Sequence, residues 1–567
     1  MKRMLFRCLW AVALVGGLVS CREKSGTPSA AAIRAINLNR GAPITCGIPN
    51  QKFGFSGFST SCPASRKEAF NTAVSLLHSF EYEEAEKAFA ALIDQEPGCA
   101  MAYWGVAMAN YHPLWAPPTP TELAKGTQAI TIAQRIPQKT PRETAYINAL
   151  AQFYQDGTTT PHAVRCARFE QAMATLHATY PTDKEAAIFY ALALNGAADP
   201  ADKLFRRQRK AGAMLMALSL DAPNHPGIIH YIIHSYDYPE LAALALPAAK
   251  KYAAIAPSSA HAQHMPSHIF VRLGLWAECV ASNLDAAASA RCYAESSGLK
   301  GHWDEELHAL DYLTYAYLQQ ADNQRAKAQW QYLQTMREVQ PANFKVAYAF
   351  AAIPARYVLE NKLWTQAAHL KIPTANVAWH QFPWQKSMLH FARALGYAHI
   401  RQPDSAQQEL RQLQAYQDTL MRQQDQYKAT QVAIQLKTAQ AWLLAAQGKP
   451  QEALQLMRQA ADTEDGTQKH AVTPSEVLPA RELLGDLLLQ LNQPQQALAA
   501  YETSLVQHPN RLNGLYGAAT AAAQTGNAAQ AQRYYQRLLA SADAPRSTRP
   551  ELAVARRFLA GQQPRLQ

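Results

Sequence analysis

Residues 223–275 read PNHPGIIHYIIHSYDYPELAALALPAAKKYAAIAPSSAHAQHMPSHIFVRLGL. Pro223 returns as Pro257, His230 as His264 and His234 as His268, each after 34 residues. A fixed period of that length marks a stacked unit of two helices, in which no copy can bury its apolar face alone. Within each copy the two histidines are one helical turn apart and share a face. Six of the 18 histidines (His225, His230, His234, His261, His264 and His268) lie in this stretch, several times what even spreading would place there.

Working outward, the same period is clearest near the C-terminus. Gly485 and Ala519, Ala497 and Ala531, and Tyr501 and Tyr535 are each 34 apart. Small residues at such places let paired helices approach, and the aromatic fills the gap between hairpins. Asn492-Gln493-Pro494 and Gly526-Asn527-Ala528 read as turns. Gly448-Lys449-Pro450 opens an earlier copy, which carries about ten extra residues around Thr463–Pro474. From Ser65 onward Ala, Leu, Gln, Glu and Arg dominate and strand-like alternation is absent.

These segments resemble tetratricopeptide repeats. The resemblance implies an all-α, right-handed α-solenoid of antiparallel helix-turn-helix units, degenerate over 66–425 and regular over 426–567. Ala102-Tyr103-Trp104-Gly105, His264-Met265-Pro266-Ser267-His268 and Ile353-Pro354-Ala355-Arg356 are similar to segments of bacterial tetratricopeptide lipoproteins. In that family the first helix of each copy lines a concave groove. The matching positions are His230, His234 and Asp237 in one copy and His261, His264, His268 and Arg272 in the next. The following unit contributes His308, Asp311 and Tyr315, the one after it Arg356, and an early copy Trp104 and His112.

A groove rich in imidazole admits several chemistries. Two histidines four apart on one helix can share a metal, and a second pair on a neighbouring helix can complete the site. Neutral imidazoles with an aspartate suit a divalent metal, zinc or copper, with Asp237 or Asp311 as ligand or support. A histidine oriented by an aspartate can instead act as general acid–base, with Arg272 or Arg356 holding an anion. There is no HExxH and no GxSxG, so neither a zincin nor a serine nucleophile is indicated. The resemblance itself implies a protein or peptide ligand in the groove. Structural histidines, each bonded to backbone or packed on an aromatic ring, are the alternative to all of these. Two functional readings stay open: recognition of a partner, peptide or metal through the groove, and a metal-dependent enzyme of unknown reaction. Pro266 sits inside a helix of this scheme, so the helix either kinks there or starts later.

Lys2, Arg3 and Arg7 followed by the apolar stretch Leu9–Val19 read as a signal peptide over 1–20. Leu18-Val19-Ser20-Cys21 resembles the lipobox of bacterial lipoproteins, which implies lipidation at Cys21. Arg22 then favours an outer-membrane protein facing the periplasm, and 21–65 reads as a tether and irregular segment. Such export excludes a nucleic-acid role for the formal charge of +11. It also permits disulfides among Cys46, Cys62, Cys99, Cys166, Cys279 and Cys292, with Cys46–Cys62 the local candidate.

Overall fold

Helix starts follow from local chemistry. Thr119 and Thr140 each close a capping box with a glutamate three residues on, ahead of Pro120 and Pro141 at the first helical position. Helix ends repeat one device. Phe80, Ala321, Lys362, Asn492 and Gly526 all take a left-handed conformation. The next residue's N–H then bonds back across the turn, as from Glu81 to the Leu76 carbonyl and from Asn527 to that of Ala522. The computed structural model describes residues 26–46, 53–114, 117–542 and 547–561. Cys21 and the signal-like segment lie outside the described residues.

The expected fold class holds. Antiparallel helix pairs follow one another along the chain, from Lys67–His78 with Tyr82–Gln95 to Leu512–Gln524 with Ala528–Ser541. Among the described residues the only strands are His302–Trp303 and Val339–Gln340, two residues each, paired in parallel. Ala497 and Ala531 are both fully buried, as their shared phase requires. A Cβ on Gly485 or Gly517 would come within 2.7 or 2.2 Å of the Tyr501 ring. These glycines therefore let two first helices close on the aromatic between them. No helix among the described residues is long and apolar enough to cross a membrane.

Pro266 breaks its helix into Ala260–His264 and Pro266–Leu273, with Met265 between them still in helical conformation. The chain bends without losing its phase.

The concave surface is not an open groove, because the chain fills it. The irregular segment before the first hairpin threads inward: the Phe58 N–H donates to Asn71 at 2.8 Å, and the Phe58 ring lies 5.4 Å from Trp104. At the other end the loop between Pro450–Asp465 and Ala480–Gln490 reaches back. There Lys469 bonds Asp237 at 3.1 Å, and the Ser475 carbonyl accepts from Arg356 at 2.6 Å. The same inward threading corrects the expected disulfide. Residues 39–44 lie along the first hairpin, with the Ile44 N–H on Glu84, so Cys46 reaches Cys292 and Cys62 pairs with Cys99. Cys166 and Cys279 are free and buried.

Candidate metal centre

The histidine stripe survives folding as two adjacent triads inside the protein. His230 and His234 on helix Pro226–Tyr236 meet His261 on Ala260–His264. His264 and His268, on either side of the Met265 bend, meet His308 on Asp304–Gln319. Within each triad one ring nitrogen per residue lies within 4.8 Å of the others. The triads adjoin: the His234 and His268 rings are 6.4 Å apart.

Hydrogen bonds decide which nitrogens are bare. Asn283 donates its amide to the Cys279 carbonyl at 2.7 Å, so its oxygen faces the His264 Nδ1 at 2.6 Å and can only accept. His264 therefore carries its proton on Nδ1. His268 Nδ1 donates to the Asp237 carboxylate at 3.0 Å, which places its proton there too. Their Nε2 atoms are 3.2 Å apart. In the neutral rings both are acceptors, so two lone pairs face each other. The Tyr312 hydroxyl is 3.4 Å from the His268 Nε2 and also 3.4 Å from the Val472 carbonyl, too long for a strong bond to either. In the other triad His230 gives its Nδ1 proton to the His78 carbonyl at 2.6 Å and presents its Nε2 as an acceptor to His234 Nε2 at 3.0 Å.

Burial keeps these rings neutral. It drives His234, His261, His264 and His308 well below the ordinary imidazole range, and His230 to about 3, with the neighbouring imidazoles adding to the effect. His268 is lowered by burial against the opposing pull of Asp237. Burial would raise Asp237 as well, but Lys469 and Arg272 hold it below the usual carboxylate range. Arg272 bonds it at 2.9 Å through Nε. Lys469 is itself pushed down to about 8 by burial and by Arg272.

Aromatic rings close both triads. Phe80 lies 4.4 Å from His230 and 5.7 Å from His261, and Tyr312 lies 4.6 Å from His264 and 5.4 Å from His308. Beyond His261 opens a cavity of 490 Å³ lined by Glu81, Glu83, Asp304, Glu305 and Lys345, with His112 on its wall. Burial raises Glu81 there to about 7, although the Ser259 hydroxyl opposes it.

The remaining expected residues lie elsewhere. Asp311 is buried against Arg356 rather than joined to a triad, and burial lifts it to about 6 despite that ion pair. Arg356 is fully buried between Asp311 and the Ser475 carbonyl, not presented to an anion. Tyr315 is buried beneath Arg511, and Trp104 is enclosed by Phe58, Tyr146 and Phe189. These three would line a groove only if the concave face were open. His225 caps helix Pro226–Tyr236 and bonds Glu185 at 3.0 Å.

Sequence reasoning missed His78, Phe80, Glu185, Asn283, Tyr312 and Lys469. Only Lys469 had a signal, since it sits in the extra residues around Thr463–Pro474. His78, Glu185 and His225 form a third cluster, but its atoms are engaged. Glu185 bridges both rings at 3.0 Å, Tyr231 meets His78 at 3.0 Å, and the Ile228 N–H meets His225 at 3.4 Å.

No family model and no curated protein matches the chain. Among solved structures, yeast Tom70 is similar at 11% identity and a TM-score of 0.32, over 87% of this chain and 96% of that one. The human IFIT1 dimer with m7Gppp-AAAA is similar at 12% and 0.31, over 83% and 95%. Neither likeness bears on function at these scores.

Proposed function

We propose that this helical-repeat protein binds a metal ion, zinc or copper, at His264, His268 and His308. One observation carries the reading: the Nε2 atoms of His264 and His268, both held as acceptors, face each other at 3.2 Å. A shared cation relieves that contact. Nitrogens at this separation and ~2.1 Å from an ion subtend roughly 100° at it, within reach of a distorted tetrahedron. Asp237 and Asn283 are the outer partners that orient ligating imidazoles. Neutral rings need lose no proton before they ligate.

Titration of metal-free protein with zinc and copper against a chromophoric chelator tests this, with His268→Gln as the comparison. Submicromolar binding that His268→Gln weakens at least tenfold is expected. Binding no tighter in the wild type than in the variant would remove the proposal.

A metal-dependent enzyme is the second reading, and the 490 Å³ cavity beside His261 favours it by offering a small molecule a way in. Protein or peptide recognition would use the same cavity rather than an open concave groove. Lipidation at Cys21 and an outer-membrane location facing the periplasm belong to the proposal. Cys21→Ser should move the protein out of the membrane fraction, and a membrane-bound variant would count against the anchor.

A further inference from the structure

We propose that the two triads form one binuclear centre for a pair of cuprous ions. This rests on the metal-binding reading and deepens it by naming the number and class of ions. The triads share a construction. Each combines two histidines four residues apart with a third from a neighbouring helix, and each is covered by one aromatic ring, Phe80 or Tyr312. In each, two Nε2 atoms meet, His230 with His234 at 3.0 Å and His264 with His268 at 3.2 Å, and the opposite nitrogen is held through the His78 carbonyl in one and through Asn283 and Asp237 in the other. Contact between the His234 and His268 rings at 6.4 Å makes the two ion positions neighbours.

Charge selects the ion. All six donors are neutral imidazoles, and neither triad contains a carboxylate. The nearest one, Asp237, is already matched by Arg272 and Lys469. Desolvation cost rises with the square of the charge, so each buried dication costs roughly four times what a monocation of similar size does. Two zinc ions would bring four positive charges into this enclosure and two cuprous ions only two. Cuprous copper is also satisfied by three nitrogen donors in a plane, whereas zinc takes a fourth ligand. The adjoining cavity, where Lys345 pairs Asp304 and Glu305 and leaves Glu81 and Glu83 without that cation, gives an ion a path to His261.

The experiment is an anaerobic titration of the metal-free full-length chain with cuprous bicinchoninate, followed by X-ray absorption on the loaded wild type. Two equivalents per chain are expected, each copper with about three nitrogen neighbours and a copper–copper vector in the spectrum. His230→Phe and His308→Leu should each bind at most one equivalent, with far-UV circular dichroism checking that the variants fold. One equivalent in the wild type, a spectrum without the copper–copper vector, or zinc retained in preference to copper overturns the binuclear cuprous centre and leaves metal binding standing. No binding of either metal overturns both.

Discussion

Asp237→Asn isolates the charge that supports the candidate centre. The substitution keeps the side-chain shape but removes the carboxylate bonded to His268, Arg272 and Lys469. Unmatched buried charges cost about 3–5 kcal/mol when one partner of a pair is removed. Lys469 has an outlet: with a pKa of about 8 in the native chain, losing its proton at pH 7 costs only about 1.4 kcal/mol. Arg272 has none. The loss at pH 7 is therefore about 3 kcal/mol, or roughly 6–12 °C in the melting of a cooperative unit of 150–250 residues. The sign of the pH dependence follows. A lysine whose folded pKa is lowered below its unfolded value makes stability rise with pH between the two values. In the variant that window opens at lower pH, so its deficit should shrink from pH 7 to pH 9. Zinc or copper affinity should fall 10–100-fold, as when an outer partner of a ligating histidine is lost. Melting by far-UV circular dichroism at both pH values, with a parallel metal titration, reads all of this. A deficit under 1 kcal/mol at pH 7, or one that grows with pH, would refute the reasoning.

Arg511→Met leaves Glu360 and Glu482 buried without their shared cation, at 2.8 and 2.9 Å in the native chain, and should cost about 3–5 kcal/mol in urea unfolding. Gly517→Ala puts a methyl against the Tyr501 ring and should cost about 1–3 kcal/mol in the same assay. Burial lowers His470 to about 3 and His399 to about 4. Their contribution is complete above pH 6.5 and falls by up to about 1.4 kcal/mol per unit each as pH drops toward those values. His399→Phe should therefore flatten the acid limb of a stability–pH profile. Non-reducing peptide mapping should recover Cys46 linked to Cys292 and Cys62 linked to Cys99, and no Cys46–Cys62 peptide.

What the sequence reveals of this architecture is whatever the 34-residue period controls. His230, His234, His264 and His268 share a face because equivalent residues of stacked hairpins point the same way. Ala497 and Ala531 are buried for the same reason. Contacts between distant parts of the chain carry no period. Phe58 against Trp104, Lys469 against Asp237 and Cys46 against Cys292 join segments far apart in sequence, and together they turn an expected groove into an interior. Asp311 shows the consequence at one residue. It lies on helix Asp304–Gln319 one turn from His308, yet Arg356 arrives from another hairpin and takes its carboxylate.

That enclosure changes what the histidines can do. On an open groove, imidazoles near pH 6.5 would be partly protonated and free to turn toward water, and a pair of them would hold a metal weakly. Inside, the His78 carbonyl, Asn283 and Asp237 fix which nitrogen bears the proton on His230, His264 and His268, and Phe80 and Tyr312 pack against the rings. Two imidazole acceptors facing each other are costly in a buried site, since a buried acceptor without a good donor forfeits about 1–3 kcal/mol. The bare nitrogens of His264 and His268 are therefore better read as one half of an interaction than as a packing detail.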